Sequence, residues 1–182
     1  MALARRPEHG APLVELTRMR RRHLRRVLAI ESQVYPRPWS ASLFMSELAH
    51  RSSRKYLVAR LDGEVVGYAG MMFTANEAHV TNIAVDPAHQ ARKIGSRLLL
   101  ALIYEAQARG CEVISLEVRV SNRKAQAMYR KFGFEVSGIR RGYYIETNED
   151  AYVMEVTNAL SSDYRARLKA IRDELDALEE AR

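Results

Sequence analysis

The stretch that decides the fold is residues 82–99, which read NIAVDPAHQARKIGSRLL. An apolar, β-prone run ends at Asp86-Pro87, a short polar loop follows, and a helical pattern begins at Ile94. The first backbone N–H groups of a helix lack intrahelical partners, and together with the helix dipole they attract anions. Arg92, Lys93 and Arg97 add positive charge there. The stretch therefore predicts a strand–loop–helix unit whose loop binds a phosphate-bearing ligand.

A second stretch, residues 116–134, reads LEVRVSNRKAQAMYRKFGF and predicts another strand followed by another helix. The preceding strand at Val80–Val85 and helix at Ile94–Arg109 join it in a βαβ unit. Such a unit implies a parallel strand pair with a right-handed crossover. Ser121-Asn122 is expected to cap the second helix.

Two residues of this second stretch are candidates for proton transfer. Glu117 interrupts an apolar strand, where a carboxylate is costly unless it is solvated or paired. It either forms an ion pair with Arg119 on the same strand face, or acts through a water as a general base whose pKa is raised by partial burial. Tyr129 either packs in the core or serves as a general acid, since a phenol stays protonated at pH 7.

The rest of the chain predicts one α/β domain at residues 13–160. Asp62-Gly63 marks a hairpin turn, Ser40 is expected to cap a helix, and Gly110 to end one. Strands are predicted at 13–16, 56–61, 64–73, 78–85, 112–120, 134–139 and 151–156, and helices at 19–34, 41–49, 94–109 and 122–131.

The two ends differ in character from this domain. Residues 1–12 contain Pro and Gly and little apolar material, and they predict a mobile tail. Residues 161–182 predict an amphipathic helix with an apolar seam formed by Tyr164, Leu168, Ile171, Leu175 and Leu178. The seam either packs on its own chain, which its short length favours, or pairs with a second copy. We therefore expect a monomer or a weak homodimer.

The composition excludes several classes of protein. Of 182 residues, 47% are hydrophobic, which is normal for a packed core, and no run is long enough to cross a membrane. The N-terminus has no apolar secretory segment, so a cytoplasmic protein is expected. Cys111 is the single cysteine and is expected to be a buried apolar residue, and no cluster has metal-ligand spacing, so no metal is predicted.

The net charge of +7 favours acidic partners. Much of the excess is concentrated in the segment that holds Arg18, Arg20, Arg21, Arg22, Arg25 and Arg26. This segment is interpreted first as a solvated helix face, and binding to ribosomal RNA is the alternative.

Residues 90–95, Gln-Ala-Arg-Lys-Ile-Gly, resemble the acetyl-CoA motif of the GNAT acetyltransferase superfamily, Gln/Arg-x-x-Gly-x-Gly/Ala. Lys93 replaces the first glycine of that motif. A positive φ there would cost about 1 kcal/mol, whereas a helical φ would make the lysine harmless, and the helical conformation is expected. The resemblance implies a mixed, mostly antiparallel sheet with a splayed parallel pair and helices on both faces. It also implies acetyl-CoA as co-substrate, bound by Ile83, Ala84, Val85, Ala91, Arg92, Lys93, Ile94, Gly95, Ser96 and Asn122.

Residues 116–134 resemble the other conserved part of the same superfamily, Leu-Glu-Val-Arg…Asn…Ala…Tyr…Gly-Phe. By this resemblance Glu117 is the general base and Tyr129 the general acid. Two loops, 35–40 and 139–144, are similar to those of the bacterial members that acetylate the N-terminal alanine of a ribosomal protein. Tyr35 replaces a phenylalanine of that pattern and Arg37 is inserted. The resemblance implies that the peptide acceptor is bound by Tyr35, Trp39, Tyr143 and Tyr144; Tyr143 and Tyr144 could also be ordinary loop anchors.

The acceptor suggested by these loops is a protein N-terminus, and the ribosome is a possible neighbour. An α-amine has a pKa near 7.7–8.0 and a lysine side chain one near 10.4, so a carboxylate base is better matched to the former. Three alternatives stay open: acetylation of lysine or of a small amine, a non-catalytic acyl-CoA-binding module, and an RNA-associated module.

Overall fold

The computed structural model describes residues 13–181, and the tail predicted at 1–12 lies outside the described residues. The strands are β1 (Glu15–Arg18), β2 (Arg54–Leu61), β3 (Glu64–Thr74), β4 (Glu77–Val85), β5 (Val113–Arg119), β6 (Glu135–Tyr144) and β7 (Glu149–Val156). The helices are α1 (Leu24–Val34), α2 (Ala41–Ala49), α3 (Ile94–Ala108), α4 (Arg123–Lys131) and α5 (Ser162–Glu180).

The seven strands form one sheet in the order β1-β2-β3-β4-β5-β7-β6. Every neighbouring pair is antiparallel except β4 and β5, which are parallel. The mixed, mostly antiparallel sheet and its single parallel pair are therefore confirmed.

Helices cover both faces of the sheet, because successive residues of a strand point to opposite faces. On one face, α1 and α2 bury Val27, Ile30 and Phe44 against Tyr56 and Tyr68. On the other face, α3 and α5 pack against alternate strand residues in a larger cluster. That cluster includes Leu57, Ala59, Leu98, Leu102, Ile114, Leu116, Leu168 and Ile171.

Local signals place most helix ends as predicted. The Ser40 hydroxyl accepts the Leu43 amide at 3.2 Å and caps α2, and Asn122 caps α4 in the same way through the Ala125 amide. Gly110 follows α3 with φ +76°, a conformation that suits glycine.

Several element bounds differ from prediction, most of them by one or two residues, and three differences have a clear physical reason. The first strand lies two residues later, at Glu15–Arg18, where it pairs with β2. The helix predicted from Met19 starts at Leu24, because Met19 is bound to the β2 backbone and 21–23 form a short 3₁₀ turn. The β6 strand continues to Tyr144 through the predicted loop, since its pairing with β7 resumes after an irregularity.

The parallel pair of the sheet is short. β4 and β5 are in register only from Glu77 and Val113 to His79 and Ser115. Beyond this point β4 remains paired to β3, with a bulge near Thr81, while β5 remains paired to β7. The two strands therefore part, and the gap between them exposes one backbone edge of β4.

The C-terminal helix α5 packs on its own chain, which is the alternative that its short length favoured. Tyr164, Leu168, Ile171 and Leu175 are buried in the larger core cluster. The Tyr164 hydroxyl donates to the Phe132 carbonyl at 2.8 Å. Cys111 is buried, as expected. Within the described part of the chain, no helix combines the length and the apolarity that a bilayer crossing requires.

Candidate active site

The centre of the site is the carboxylate of Glu117, which lies on β5 where the parallel strands part. Its side chain is 11% exposed, and its Oε2 lies 2.7 Å from Nε2 of His79 on β4. Its Oε1 lies 3.2 Å from Nε of Arg140 on β6. Nδ1 of His79 lies 2.9 Å from the Ser115 hydroxyl. The carboxylate is therefore held by His79 from the adjacent strand β4 and by Arg140 from β6, and His79 in turn is bound to Ser115.

Two expectations about Glu117 are wrong. Its ion pair is not with Arg119, which instead binds Glu146 at 2.5 Å and Glu149 at 3.3 Å on the β6–β7 turn. Burial acts to raise the pKa of Glu117, but the hydrogen bond and charge of His79 and the charge of Arg140 outweigh it. The pKa of Glu117 therefore lies below its usual value.

Tyr129 of α4 lies in the core and packs on Phe134, with ring centroids 5.9 Å apart. Burial, and then the nearby Tyr144, raise its pKa, so the phenol stays protonated at neutral pH. Burial is the main cause that raises the pKa of Tyr35, and the nearby Tyr129 raises it further. Glu117 also contributes to raising the pKa of Tyr144. These mutual effects indicate that Tyr35, Tyr129 and Tyr144 lie within electrostatic range of one another, and Tyr144 within range of the Glu117 carboxylate, in the region of the gap.

The two predicted acceptor loops both reach this space. The Tyr35 hydroxyl donates to the Ile83 carbonyl of β4 at 2.8 Å. The rings of Tyr143 and Tyr144 meet edge to face at 5.1 Å, and the Arg119 guanidinium lies 3.8 Å above the Tyr144 ring. Tyr144 is partly buried and Tyr143 is exposed. The structure therefore brings Tyr35 and Tyr144 to the site and leaves Tyr143 at its rim.

The backbone of Trp39 is held by Glu31, a residue that was not among the candidates chosen from the sequence. Glu31 is 2% exposed, and its carboxylate accepts the Trp39 amide at 2.9 Å and the Tyr68 hydroxyl. The Trp39 ring packs on Phe44 at 5.2 Å. The signal in the sequence that could have identified Glu31 is an acidic residue on the otherwise apolar face of α1. Glu31 therefore fixes the start of the loop that carries Trp39.

The loop before α3 has an unusual backbone. Lys93 immediately precedes α3 with φ 62° and ψ 16°, and Ala91 has φ 64°. The expectation of a helical Lys93 is therefore wrong, and the position has the left-handed conformation that glycine adopts without strain. Arg97 was expected to add positive charge to this loop, but its guanidinium binds two groups of α5, Glu179 at 2.6 Å and the Leu175 carbonyl at 2.6 Å.

The start of α3 nevertheless offers donors. The Lys93 side chain does not cap the helix. The first helical backbone hydrogen bond is donated by the Arg97 amide to the Lys93 carbonyl, at 3.0 Å. The amides of Ile94, Gly95 and Ser96 precede it and have no intrahelical acceptor. Arg92 is exposed beside them.

A family model described as Acetyltransferase (GNAT) family matches residues 23–134, which include the phosphate loop, Glu117 and Tyr129. The chain belongs to this acetyltransferase family.

Similarity to individual relatives extends over more residues than the family model matches. The ribosomal protein bS18-alanine N-acetyltransferase of Escherichia coli (strain K12) is 40% identical over 129 residues, which cover 69% of this chain and 84% of the relative. The N-alpha-acetyltransferase RimI of Mycobacterium tuberculosis is 39% identical over 147 residues, 78% of this chain and 90% of the relative. The crystal structure of the E. coli ribosomal-protein-S18-alanine N-acetyltransferase superposes with a TM-score of 0.74 at 31% identity, covering 83% of this chain and 97% of the other.

GNAT acetyltransferases take their acetyl group from acetyl-CoA, and the residues present fit this co-substrate. The segment Ile83–Val85 is paired to β3 on one side and to no strand on the other, which suits an extended pantetheine arm, while the Ile83 carbonyl already accepts the Tyr35 hydroxyl. The free amides of Ile94–Ser96 suit a pyrophosphate. A Cβ at Gly95 would meet Met128 at 3.5 Å, which is ordinary contact, so the protein itself does not require glycine there. Among the described residues no group suited to holding a metal ion is found.

Part of the Asn122 side chain is already hydrogen-bonded within the protein. Its Oδ1 accepts the Ala125 amide at 3.1 Å, so its side-chain NH₂ is the group left to bind a ligand. Gln126, which the sequence analysis did not select, donates to the Arg119 and Val120 carbonyls at 3.0 and 2.9 Å. Gln126 therefore ties α4, and with it Tyr129, to the end of β5.

Proposed function

We propose that this acetyltransferase transfers the acetyl group of acetyl-CoA to the α-amine of an alanine-starting protein, a small-subunit ribosomal protein. The observation that carries the proposal is the Glu117 carboxylate at the gap between β4 and β5, paired to His79 and Arg140 and within electrostatic range of Tyr144. The relatives named for bS18-alanine acetylation support the choice of acceptor.

Acetyl-CoA supplies an acetyl thioester, which the open edge at Ile83–Val85 and the loop Ala91–Ser96 would hold across the gap. The acceptor amine approaches from the face of the sheet that carries Glu117 and His79. Glu117, held in place by His79 and Arg140, receives the proton of the amine through a water. The amine nitrogen bonds to the acetyl carbon as the carbon–sulfur bond breaks, and the Tyr129 phenol returns a proton to the sulfur.

The lowered pKa of Glu117 strengthens the preference for an α-amine. A weak carboxylate base is poorly matched to a lysine ammonium with a pKa near 10.4. At pH 7 roughly a tenth of an N-terminal amine is already neutral, since its pKa is near 7.7–8.0. Because Glu117 stays ionised across neutral pH, we expect kcat/KM for an alanine peptide to rise with pH until the amine itself is neutral, near pH 8.

Tyr35, Trp39, Tyr143 and Tyr144 would hold the first residues of the acceptor. Tyr144 lies within electrostatic range of the Glu117 carboxylate, Tyr35 is anchored on the Ile83 carbonyl of β4, and Glu31 fixes the Trp39 backbone. Aromatic side chains around the first residue of the acceptor would favour a small residue such as alanine. The reaction would take place in the cytoplasm, where ribosomal proteins are made, and the burial of the α5 seam supports a monomer.

The test offers acetyl-CoA with three peptides, which begin with alanine, begin with methionine, or are N-terminally blocked and carry internal lysines. Mass spectrometry should find the acetyl group on the α-amine of the alanine peptide. Glu117→Gln should lower kcat about 10²–10⁴-fold. Glu64→Gln, an equal change of charge at an exposed position, should leave kcat unchanged. Acetylation of internal lysine alone would refute the acceptor, and an unchanged Glu117→Gln rate would refute the base.

A companion variant separates His79 from Glu117. His79→Asn removes the imidazole that binds Oε2 of Glu117 and leaves the carboxylate in place. The pKa of Glu117 should rise, so the second, steeper acidic limb that Glu117 adds to the kcat/KM profile at low pH should move to higher pH. The limb near pH 8, which belongs to the amine, and KM for acetyl-CoA should stay the same. An unmoved low-pH limb with normal kcat would remove His79 from the mechanism.

A further inference from the structure

A second cavity lies away from the acetyl-transfer site, at the opposite end of the α1–α2 pair from the 35–40 loop. It has a volume of about 670 Å³ and is lined by residues of β1, the 3₁₀ turn, α2 and the turn after α2. Arginines and apolar side chains line it: Arg18, Arg20, Arg21, Arg22 and Arg51, with Met19, Met45, Leu48 and Ala49. None of these nine residues is acidic.

The five arginines of this basic cavity are not neutralised by the rest of the described chain. No carboxylate within residues 13–181 lies in ion-pair distance of them. Arg26, by contrast, is used internally and binds Asp86 at 2.5 Å. Burial, and then the charges of Arg22, Arg60 and Arg20, lower the pKa of His23 beside the cavity, as a concentrated positive potential requires.

We propose that this basic cavity and its rim bind the phosphate backbone of RNA. Arginine presents a planar fork of donors that matches phosphate oxygens, and runs of basic residues are typical of nucleic-acid-binding surfaces. Between Glu15 and Glu31 the chain has six arginines and no acidic residue. Five arginines around one open cavity, one from the end of β1, three from the 3₁₀ turn and its N-cap and one from the turn after α2, can engage several phosphates at once, whereas a single small anion would satisfy only two or three of them.

The position of the cavity keeps it independent of the chemistry. The first turn before α1 and the last turn of α2 line it, so the 35–40 loop lies at the far ends of the same two helices. The nine residues of α2 span about 13 Å, at 1.5 Å per residue. RNA bound here would therefore leave the gap between β4 and β5 open to an acceptor peptide.

The test measures binding of a fluorescein-labelled RNA hairpin to the full chain by anisotropy over a range of salt concentrations. The triple variant Arg20→Gln/Arg21→Gln/Arg22→Gln should bind about tenfold or more weakly, and its log K against log[salt] slope should be smaller by about 2–3. The control, Arg165→Gln/Lys169→Gln/Arg172→Gln on exposed α5 positions, loses the same charge and should bind like the parent chain.

Acetylation of the free alanine peptide is measured in parallel, and both triple variants should retain it, because neither changes the acetyl-transfer site. RNA binding does not depend on the proposed acceptor, so either proposal can fail without the other. An equal loss of RNA binding in both variants would show non-specific attraction and overturn the inference. Absence of RNA binding would also overturn it, as would tighter binding of polyglutamate than of RNA, which would identify an acidic protein as the partner.

Discussion

Lys93→Gly tests the left-handed backbone before α3. Lys93 has φ 62° and ψ 16°, a conformation that costs a residue with a Cβ roughly 1–2 kcal/mol. Glycine removes this cost but adds freedom to the unfolded chain, which offsets about 0.4–1 kcal/mol. The net effect is a stabilisation of about 0.5–1 kcal/mol. For a chain of this size, the melting temperature should rise by about 1–4 °C.

The control for this prediction is Lys169→Gly, at an exposed position in the middle of α5. There the backbone is right-handed, so glycine should cost about 1 kcal/mol, with a few tenths more for the lost pair with Asp173. Differential scanning calorimetry of the parent chain and both variants should therefore give shifts of opposite sign. A melting temperature that falls for Lys93→Gly as it does for Lys169→Gly would refute the left-handed assignment.

Three further predictions concern packing and catalysis. In Gly70→Ala the new Cβ would lie 2.2 Å from a buried tyrosine ring, so urea denaturation should give a loss of about 1–3 kcal/mol, whereas Gly138→Ala, with open space around it, should be nearly neutral. Glu31→Ala leaves the Trp39 amide without its hydrogen-bond acceptor, so it should lower the free energy of unfolding by about 1–3 kcal/mol. It should also raise KM for the alanine peptide, and an unchanged KM would show that Glu31 does not support the loop that binds the acceptor. Tyr129→Phe should lower kcat about 10²–10⁴-fold in an assay of thiol release, with KM for acetyl-CoA unchanged, and normal turnover would exclude the phenol as the acid.

The sequence predicted the regular elements well because their signals are local. The hydroxyl of Ser40, the side chain of Asn122 and the freedom of Gly110 act on backbone groups within a few residues, and these ends agree with prediction. The start of α1 was misplaced because Met19 is bound to the β2 backbone, a contact that the helical pattern of residues 19–34 does not contain.

The site was predicted unevenly for the same reason. The resemblance to the family led to Glu117 and Tyr129, but the partners of Glu117 come from other strands and could not be read from its own strand. Arg119 shares the strand face with Glu117, yet the β6–β7 turn supplies it with two carboxylates. His79 carried no signal in the sequence, because its nearness to Glu117 depends on where β4 and β5 part.

The sequence alone determined the order of strands and helices and the parallel unit. It also predicted a phosphate-binding loop before α3 and a carboxylate and a phenol, Glu117 and Tyr129, as the candidates for proton transfer. Only the tertiary structure decided the charge environment of Glu117, the left-handed conformation of Lys93, the capture of Arg97 by α5 and the grouping of five unpaired arginines around one cavity. Hydrophobic periodicity and capping act between residues that are close in the chain, whereas pKa values and ion pairs depend on distances between strands and helices that only the folded sheet brings together.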